Sequence, residues 1–134
     1  MRAKVFFDTN VVIYAIAQND ARGPRAEALL AMGGVVSVQI LNEFVSVARR
    51  KIRMPWKDVT EALAAVLVLC PSPVPISVDT HGAALRIAEK YGYEIYDALV
   101  AASALEAKCT TLFSEDLQDR QIIEGQLTIQ NPFK

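Results

Sequence analysis

The chain has 134 residues, a length that fits one domain over residues 1–134 with a core burying roughly two-thirds of the surface that the unfolded chain exposes. Apolar residues make up 52% of the sequence and charged residues 22%, which excludes a disordered composition. The net charge of -1 predicts neither nucleic-acid nor membrane binding by the molecule as a whole, so any basic surface must be local.

Apolar spacing divides the first half of the chain into short β-favouring runs that alternate with helical patterns. The predicted elements are a strand over residues 3–7, a helix ending near residues 18–20, a helix from Pro24 through Ala31, a strand over residues 35–38 and a helix containing residues 41–48. Proline at the start of the second helix and the glycine pair after it are the usual terminal signals.

The second half continues the alternation with longer helices. The predicted elements are a helix over residues 58–70, a short strand over residues 76–78, a helix from residues 79–80 to Lys90, a helix over residues 96–108, a strand over residues 110–113 and an edge strand over residues 127–129. Asp79 or Thr80 is expected to cap the helix that Gly92 ends. Because the helix over residues 96–108 is apolar nearly all round, we expect it to be central.

Strands that alternate with helices predict an α/β domain with a mainly parallel sheet and right-handed crossovers. Ligands of such sheets bind outside the carboxyl ends of the strands. Asp8 follows the first strand and Asp116 follows the strand ending at Phe113, so both are expected at that edge. Asp97 lies in the first turn of a buried helix, whose positive end favours a carboxylate, and Glu43 would reach over from its own helix.

These four acids lie close to apolar sequence, where an unpaired buried charge costs several kcal/mol or more. The scarcity of cations near them in sequence points to a bound divalent cation. Each acid also has an ordinary structural explanation when it is considered alone. Asp8 could cap a helix, Asp97 could complement a helix dipole, Asp116 could be a loop acid and Glu43 a solvated helix residue.

Five segments in chain order are FFDTNVVIY, NEF, YDALVAASA, LFSEDLQD and the terminal QNPF. In these segments the chain resembles the PIN domain, and in particular the toxin ribonucleases of bacterial VapBC toxin-antitoxin systems, and the resemblance extends over nearly the whole chain. Each motif is short, but the acids occur in the order that the family has, with matching flanks. The resemblance implies a three-layer α/β/α fold with a mainly parallel sheet.

It also implies a Mg²⁺- or Mn²⁺-dependent endoribonuclease that leaves a 3'-hydroxyl and a 5'-phosphate, the toxin of a toxin-antitoxin pair. The catalytic and metal-binding acids would be Asp8, Glu43, Asp97 and Asp116. Asn10 and Ser114 would orient the acids or a phosphate, and Asp119 could replace or assist Asp116. The resemblance further implies an RNA substrate, a cognate antitoxin as partner and a homodimer.

Other functions stay open on the sequence alone: a PIN-like nuclease outside a toxin-antitoxin system, a non-catalytic module of the same fold, and an aspartyl-phosphate phosphatase or receiver-like domain. The last class needs a lysine near the acids after a late strand, and residues 110–119 contain none. The sequence contains neither the phosphate-binding motif G-x-x-x-x-G-K-[ST] nor G-x-G-x-x-G after a predicted strand. Its two cysteines and one histidine lack the spacing of a structural zinc site. We therefore expect no nucleotide cofactor and no zinc.

Basic residues concentrate in one run, formed by Arg49, Arg50, Lys51 and Arg53 with Lys57 shortly after. Cations at a helix C-terminus complement its dipole, which gives the run an ordinary explanation. The alternative is that some of these residues, or Arg22 and Arg25, contact RNA phosphates beside the acids. Trp56 and residues 66–69 are candidates for an apolar interaction surface.

Cys70 and Cys109 each end an apolar helical pattern, which favours reduced core thiols over a disulfide. The basic start of the chain reaches Asp8 before an apolar region of signal-peptide length can form. The longest apolar stretch, residues 62–70, is too short to span a bilayer. We therefore expect a cytoplasmic protein without membrane association.

Overall fold

The computed structural model describes residues 4–17 and 19–134, so Ala3 of the predicted first strand and Gln18 after the first helix lie outside it. The helices are α1 (Thr9–Ile16), α2 (Gly23–Ala31), α3 (Val38–Val47), α4 (Trp56–Leu69), α5 (Val78–Tyr91) and α6 (Ile95–Glu106), and a π-helical turn (Ala48–Ile52) continues α3. The strands are β1 (Val5–Phe7), β2 (Thr111–Phe113), β3 (Ile122–Ile123) and β4 (Leu127–Gln130).

The four strands form one sheet in the order β1-β2-β4-β3, in which only the β3-β4 pair is antiparallel. Helices lie on both faces, so the chain is a three-layer α/β/α domain with a mainly parallel sheet, as expected. No helix of the described residues is long and apolar enough to cross a membrane.

The three parallel strands end in register. Phe7 is opposite Phe113, and Phe113 is opposite Gln130. The pairing continues one residue further, because the backbone N–H of Asp8 donates to the Phe113 carbonyl at 3.0 Å and that of Ser114 donates to the Gln130 carbonyl at 3.0 Å. The sheet therefore places Asp8 and Ser114 side by side at its carboxyl edge.

Helix α6 carries seven consecutive buried residues, Ala98 through Ala104, which confirms its central position. Five of the seven are alanine or serine, and such small side chains let neighbouring elements approach closely. Gly34 marks another close approach: a Cβ atom there would lie 2.5 Å from Cε2 of Phe7. The two cysteines, Cys70 and Cys109, are free and buried as expected.

The predicted strand over residues 35–38 is wrong in its extent. The segment forms two isolated parallel bridges, Val35 with Phe6 and Ser37 with Val74, and Val38 already begins α3. The reason is Ser37, whose Oγ accepts a hydrogen bond from the backbone N–H of Ile40 at 3.2 Å. A serine cap of this kind starts a helix even where the following residue is β-branched.

The predicted strand over residues 76–78 is also wrong, since α5 begins at Val78 and is capped by Ser77 instead of Asp79 or Thr80. Ser77 Oγ accepts from the Thr80 N–H at 3.1 Å, and Thr80 Oγ1 accepts from the Ser77 N–H at 3.2 Å. This reciprocal capping box satisfies two backbone donors at once.

The predicted edge strand over residues 127–129 exists as β4, but it lies inside the sheet between β2 and β3. The edge is β3, which has only two residues and carries no periodic sequence signal.

Candidate active site

Asp8 is the buried member of the acidic site, with only 5% of its surface exposed. It caps α1: its Oδ1 accepts from the Thr9 backbone N–H at 2.7 Å, and its Oδ2 accepts from Ser114 Oγ at 2.7 Å. Burial raises the pKa of Asp8 from its ordinary value of 3.8 to about 6, against the effect of these two hydrogen bonds. The negative charges of Asp116 and Glu43, two other acids of the predicted site, raise the pKa of Asp8 further.

Ser114 connects the two strand ends with the loop after β2. It is fully buried, and its hydroxyl donates to Asp8 while accepting from the backbone N–H groups of Asp116 at 3.2 Å and Leu117 at 3.3 Å. A hydroxyl has one donor and two acceptor positions, and all three are used here. Ser114 therefore holds the loop and the Asp8 carboxylate in one arrangement.

Asn10 performs the same task from α1. Its Nδ2 donates to Asp116 Oδ2 at 3.2 Å, and its Oδ1 accepts from the Glu115 backbone N–H at 3.3 Å. Asp116 is itself exposed, so the amide of Asn10 is what orients its carboxylate. Asn10 and Ser114 thus have the orienting contacts expected of them.

Glu43 reaches the site from α3 and is half-buried. Its Oε2 accepts from Thr9 Oγ1 at 2.6 Å, and its Oε1 accepts from Gln39 Nε2 at 3.3 Å. The contact with Thr9 joins the start of α1 to α3, because Thr9 directly follows Asp8. This role of Thr9 was not predicted from the sequence, although its position beside a predicted site residue was a usable signal.

Asp97 lies in the first turn of α6 and is half-buried. Its pKa is raised, first by burial, then by the charge of Glu94, and then by the charges of Asp116 and Glu43. Within residues 4–17 and 19–134, no side chain donates a hydrogen bond to its carboxylate. The charges of Asp116 and Glu43 therefore raise the pKa values of both Asp8 and Asp97, as expected when the four acids lie in one region.

Asp119 is engaged elsewhere. Its Oδ1 accepts from the Asn131 backbone N–H at 2.8 Å, and its carboxylate lies 3.8 Å from the Lys134 ammonium and 4.0 Å from Nε of Arg120. These contacts attach the loop to the C-terminal turn. Of the two acids considered for the fourth position, Asp116 is the one whose charge raises the pKa values of Asp8 and Asp97.

The donor set fits a divalent cation. None of the ion pairs between described residues involves Asp8, Glu43, Asp97 or Asp116, so no Lys or Arg in that part of the chain neutralises them. The described side chains also include no three acids, histidines or cysteines that converge closely enough to hold a metal by themselves. Mg²⁺ needs no such convergence, because it keeps several waters and is commonly held by one or two carboxylates and a substrate phosphate.

A second cluster, which the sequence analysis did not anticipate, lies next to the acids. Arg22 donates from Nη1 to Glu115 Oε1 at 2.9 Å and from Nε and Nη2 to the two carboxylate oxygens of Asp20, each at 2.9 Å. Its guanidinium lies 3.7 Å from the centre of the Tyr14 ring, and the Tyr14 hydroxyl donates to Glu115. Burial together with Glu115 raises the pKa of Tyr14 to about 12. Arg22 is thus held by two carboxylates.

A cavity of about 500 Å³ opens between α1 and α3 beside the acids. Its lining residues are Thr9, Asn10, Ile13, Tyr14, Glu43, Ser46, Val47, Arg50, Lys51 and Asp116. The lining combines acidic, apolar and basic groups in one concave surface.

The model of one protein family, the PIN domain, matches residues 5–122 of the chain. No curated protein gives a significant match. Among solved structures, the toxin-antitoxin complex from Klebsiella pneumoniae has a TM-score of 0.73 at 18% identity, covering 98% of this chain and 99% of that one.

Two further structures are similar. The Mycobacterium tuberculosis toxin VapC20, described as cleaving the Sarcin-Ricin loop, has a TM-score of 0.69 at 20% identity and covers 84% of this chain and 92% of its own. VapBC2 from Rickettsia felis, solved with a DNA fragment from its promoter, has a TM-score of 0.66 at 19% identity and covers 95% and 98%. Likeness at these identities establishes the fold.

Proposed function

The chain belongs to the PIN domain family, and we propose that it is a Mg²⁺- or Mn²⁺-dependent endoribonuclease that acts as the toxin of a toxin-antitoxin pair. The observation that supports the proposal is that Asp8, Glu43, Asp97 and Asp116 form no ion pair with any described cation, although the charges of Glu43 and Asp116 act on the pKa values of both Asp8 and Asp97. Similar folds solved as toxins or toxin-antitoxin complexes, one of them described as cleaving an RNA loop, support it.

The proposal assigns a role to each acid. Asp8, Asp97 and Asp116 hold the cation directly or through water, and Glu43 is a further ligand or positions the attacking water. When bound, the cation supplies a more acidic water and stabilises charge on the phosphoryl oxygens. Glu43 is suited to positioning because Thr9 and Gln39 fix both of its oxygens.

Ser114 and Asn10 support this arrangement by restricting the orientation of the acids. Groups that fix metal ligands through hydrogen bonds typically change metal affinity or activity by about 10–100-fold when removed. Ser114 orients the buried acid and Asn10 the exposed one, Asp116. Asp119, which is bonded to the C-terminal turn, keeps only a structural role in this proposal.

The proposal also includes a cytoplasmic single-domain protein over residues 1–134, a cognate antitoxin and a homodimer. Exposed apolar side chains at Trp56 and Val68, which are 60% and 79% exposed, keep the start and end of α4 among the interaction surfaces to be tested. Val66 is only 2% exposed, so it is a core residue and is not part of the predicted apolar interaction surface.

The direct test compares RNA cleavage by the wild type and by Asp97→Asn with Mg²⁺, with Mn²⁺ and with EDTA. Asp97 is half-buried and receives no hydrogen bond from the described side chains, so the neutral variant should fold. We expect cleavage to fall by about 100-fold or more, because several kcal/mol of transition-state stabilisation depend on the cation. Asp119→Asn is the matched control and should retain cleavage.

Cleavage that survives EDTA, or that Asp97→Asn retains, would contradict the proposed site. A protein with neither cleavage nor a metal-induced thermal shift would instead be a non-catalytic module of the same fold. Expression in a bacterial host then separates the remaining alternatives. Metal-dependent cleavage with growth arrest supports a toxin, whereas cleavage without growth arrest supports a PIN nuclease outside a toxin-antitoxin system.

A further inference from the structure

The basic run after α3 divides into bound and available cations. Arg49 donates from Nη1 to the Met54 carbonyl at 2.8 Å, and its guanidinium lies 4.4 Å from the centre of the Trp56 ring. Arg25, on α2, donates from Nε to the Pro132 carbonyl at 3.3 Å. Arg49 and Arg25 therefore have structural contacts away from the acids.

Arg50 and Lys51, in contrast, line the cavity that also contains Glu43 and Asp116. Arg50 donates from Nε to Ser46 Oγ at 3.0 Å, which steadies its guanidinium along the helix. Neither Arg50 nor Lys51 forms an ion pair with any residue in the described ranges. Two exposed cations therefore face the same concave surface as the acids.

The acidic and the basic side chains that line this cavity are separated along α3 and the turn that continues it. Glu43 and Arg50 are seven residues apart, which corresponds to about 10 Å of helical rise. The cavity is also lined by Ile13, Tyr14 and Val47. Its surface thus combines carboxylates, apolar side chains, a guanidinium and an ammonium.

The backbone that carries the cations has unusual geometry. Residues 48–52 form a π-helical turn, and Arg53 ends it in the left-handed region with φ of 61°. For a residue with a Cβ atom this conformation is uncommon, and π-helical turns inside helices often occur at functional sites. The irregular turn coincides with the residues that line the cavity, which supports a functional reading of the run.

From these observations we infer that Arg50 and Lys51 form a phosphate-binding subsite for single-stranded RNA in the cavity beside the acids. The inference rests on the proposed function, because the acidic end must also bind a phosphate. An RNA strand satisfies both ends: one phosphate would lie at the acidic end, and two neighbouring phosphates would lie at Arg50 and at Lys51, one at each. An acidic peptide would fit the basic end and be repelled by the acids. Proteins that bind single strands commonly use a positively charged groove that follows the phosphate backbone.

The test measures RNA binding separately from cleavage. In an Asp97→Asn background, the affinity for a short single-stranded RNA is measured by fluorescence anisotropy at several KCl concentrations and fixed Mg²⁺. Removing both cations with Arg50→Ala and Lys51→Ala should make the slope of log K against log salt shallower by about 0.7 per lost phosphate contact, or about 1.4 for both. Glutamine at both positions should give the same change while keeping side-chain bulk along the cavity.

The matched control is the double variant Arg49→Ala and Lys57→Ala, which removes the same charge from outside the cavity and should keep the parent slope. Equal slopes in the two double variants, or no RNA binding by the parent, would overturn the inference. An unchanged slope together with lost silencing by the cognate antitoxin would assign the surface to a protein partner, which also overturns it. If the slope changes as expected but wild-type cleavage does not need a metal, the subsite stands and the proposed metal mechanism fails.

Discussion

Replacing Asp8 by asparagine should stabilise the metal-free protein at neutral pH while abolishing metal-dependent cleavage. The physical reason is that burial makes ionised Asp8 unfavourable in the folded chain and raises its pKa from 3.8 to about 6. The unfolded chain releases the proton near pH 3.8, whereas the folded chain holds it until about pH 6. Within that window the folded state binds more protons, so the free energy of unfolding falls as the pH rises.

The size of the effect follows from the pKa difference of about two units, which corresponds to about 3 kcal/mol at pH values above 6. Asparagine recovers only part of this. The Ser114 hydroxyl already accepts from two backbone N–H groups, so an amide NH₂ facing it would have no acceptor, at a cost of about 1–2 kcal/mol. We therefore expect a net gain of about 1–2 kcal/mol at pH 7, and a net loss near pH 4.

Urea denaturation in EDTA between pH 4 and pH 8 measures this difference without contributions from bound metal. Glu61→Gln, which removes one exposed charge from the middle of α4, is the control and should change stability by less than about 0.5 kcal/mol at every pH. The reasoning is refuted if Asp8→Asn is as destabilised at pH 7 as at pH 4. That result would mean that the ionised carboxylate is well accommodated and needs no cation.

Two further predictions concern the loop after β2 and the packing of the sheet. Glu115→Ala should lower metal affinity and cleavage by about 10–100-fold, because it removes the side-chain contacts with Arg22 and Tyr14 that hold the loop presenting Asp116; Glu115→Gln should restore most of both. Glu124→Ala, which breaks a surface ion pair, is the control, and equal effects of the two alanine variants on a metal titration would contradict the prediction. Gly34→Ala should destabilise by about 1–3 kcal/mol in thermal or urea unfolding, because its Cβ would lie 2.5 Å from Phe7. Gly82→Ala, whose nearest contact inside α5 would be 3.7 Å, should instead stabilise by about 1 kcal/mol, and a similar effect at both glycines would count against the packing argument.

The helices were predictable because each has its own local signals. Pro24 lies at the start of α2, Gly92 adopts the left-handed conformation after α5, and the alanine-rich α6 is central. The strands were less predictable because pairing depends on distant residues. Val35 meets Phe6 only at a single bridge, although its local sequence favours a strand.

The candidate site was predictable as far as strand ends and helix starts could place it. Asp8 and Asp116 were expected at the carboxyl edge from the order of elements alone, and the geometry agrees with that expectation. The contact from Thr9 to Glu43 spans 34 residues and the one from Arg22 to Glu115 spans 93. No local pattern encodes such pairs, so only the folded chain reveals which polar groups hold the acids.

Two neighbouring acids on the loop after β2 differ in whether an arginine neutralises them, and this difference leaves the candidate site acidic. Glu115 is neutralised by Arg22 at 2.9 Å, while Asp116, the next residue, has no ion pair in the described part of the chain. Arg22 thus pairs with Glu115, whose charge is not among the causes of the raised pKa values of Asp8 and Asp97. Because burial, followed by the charges of neighbouring acids, raises the pKa values of Asp8 and Asp97, ionisation of these two acids destabilises the metal-free fold. A cation that binds only the folded state restores that stability by mass action, so folding and the proposed chemistry depend on the same four charges.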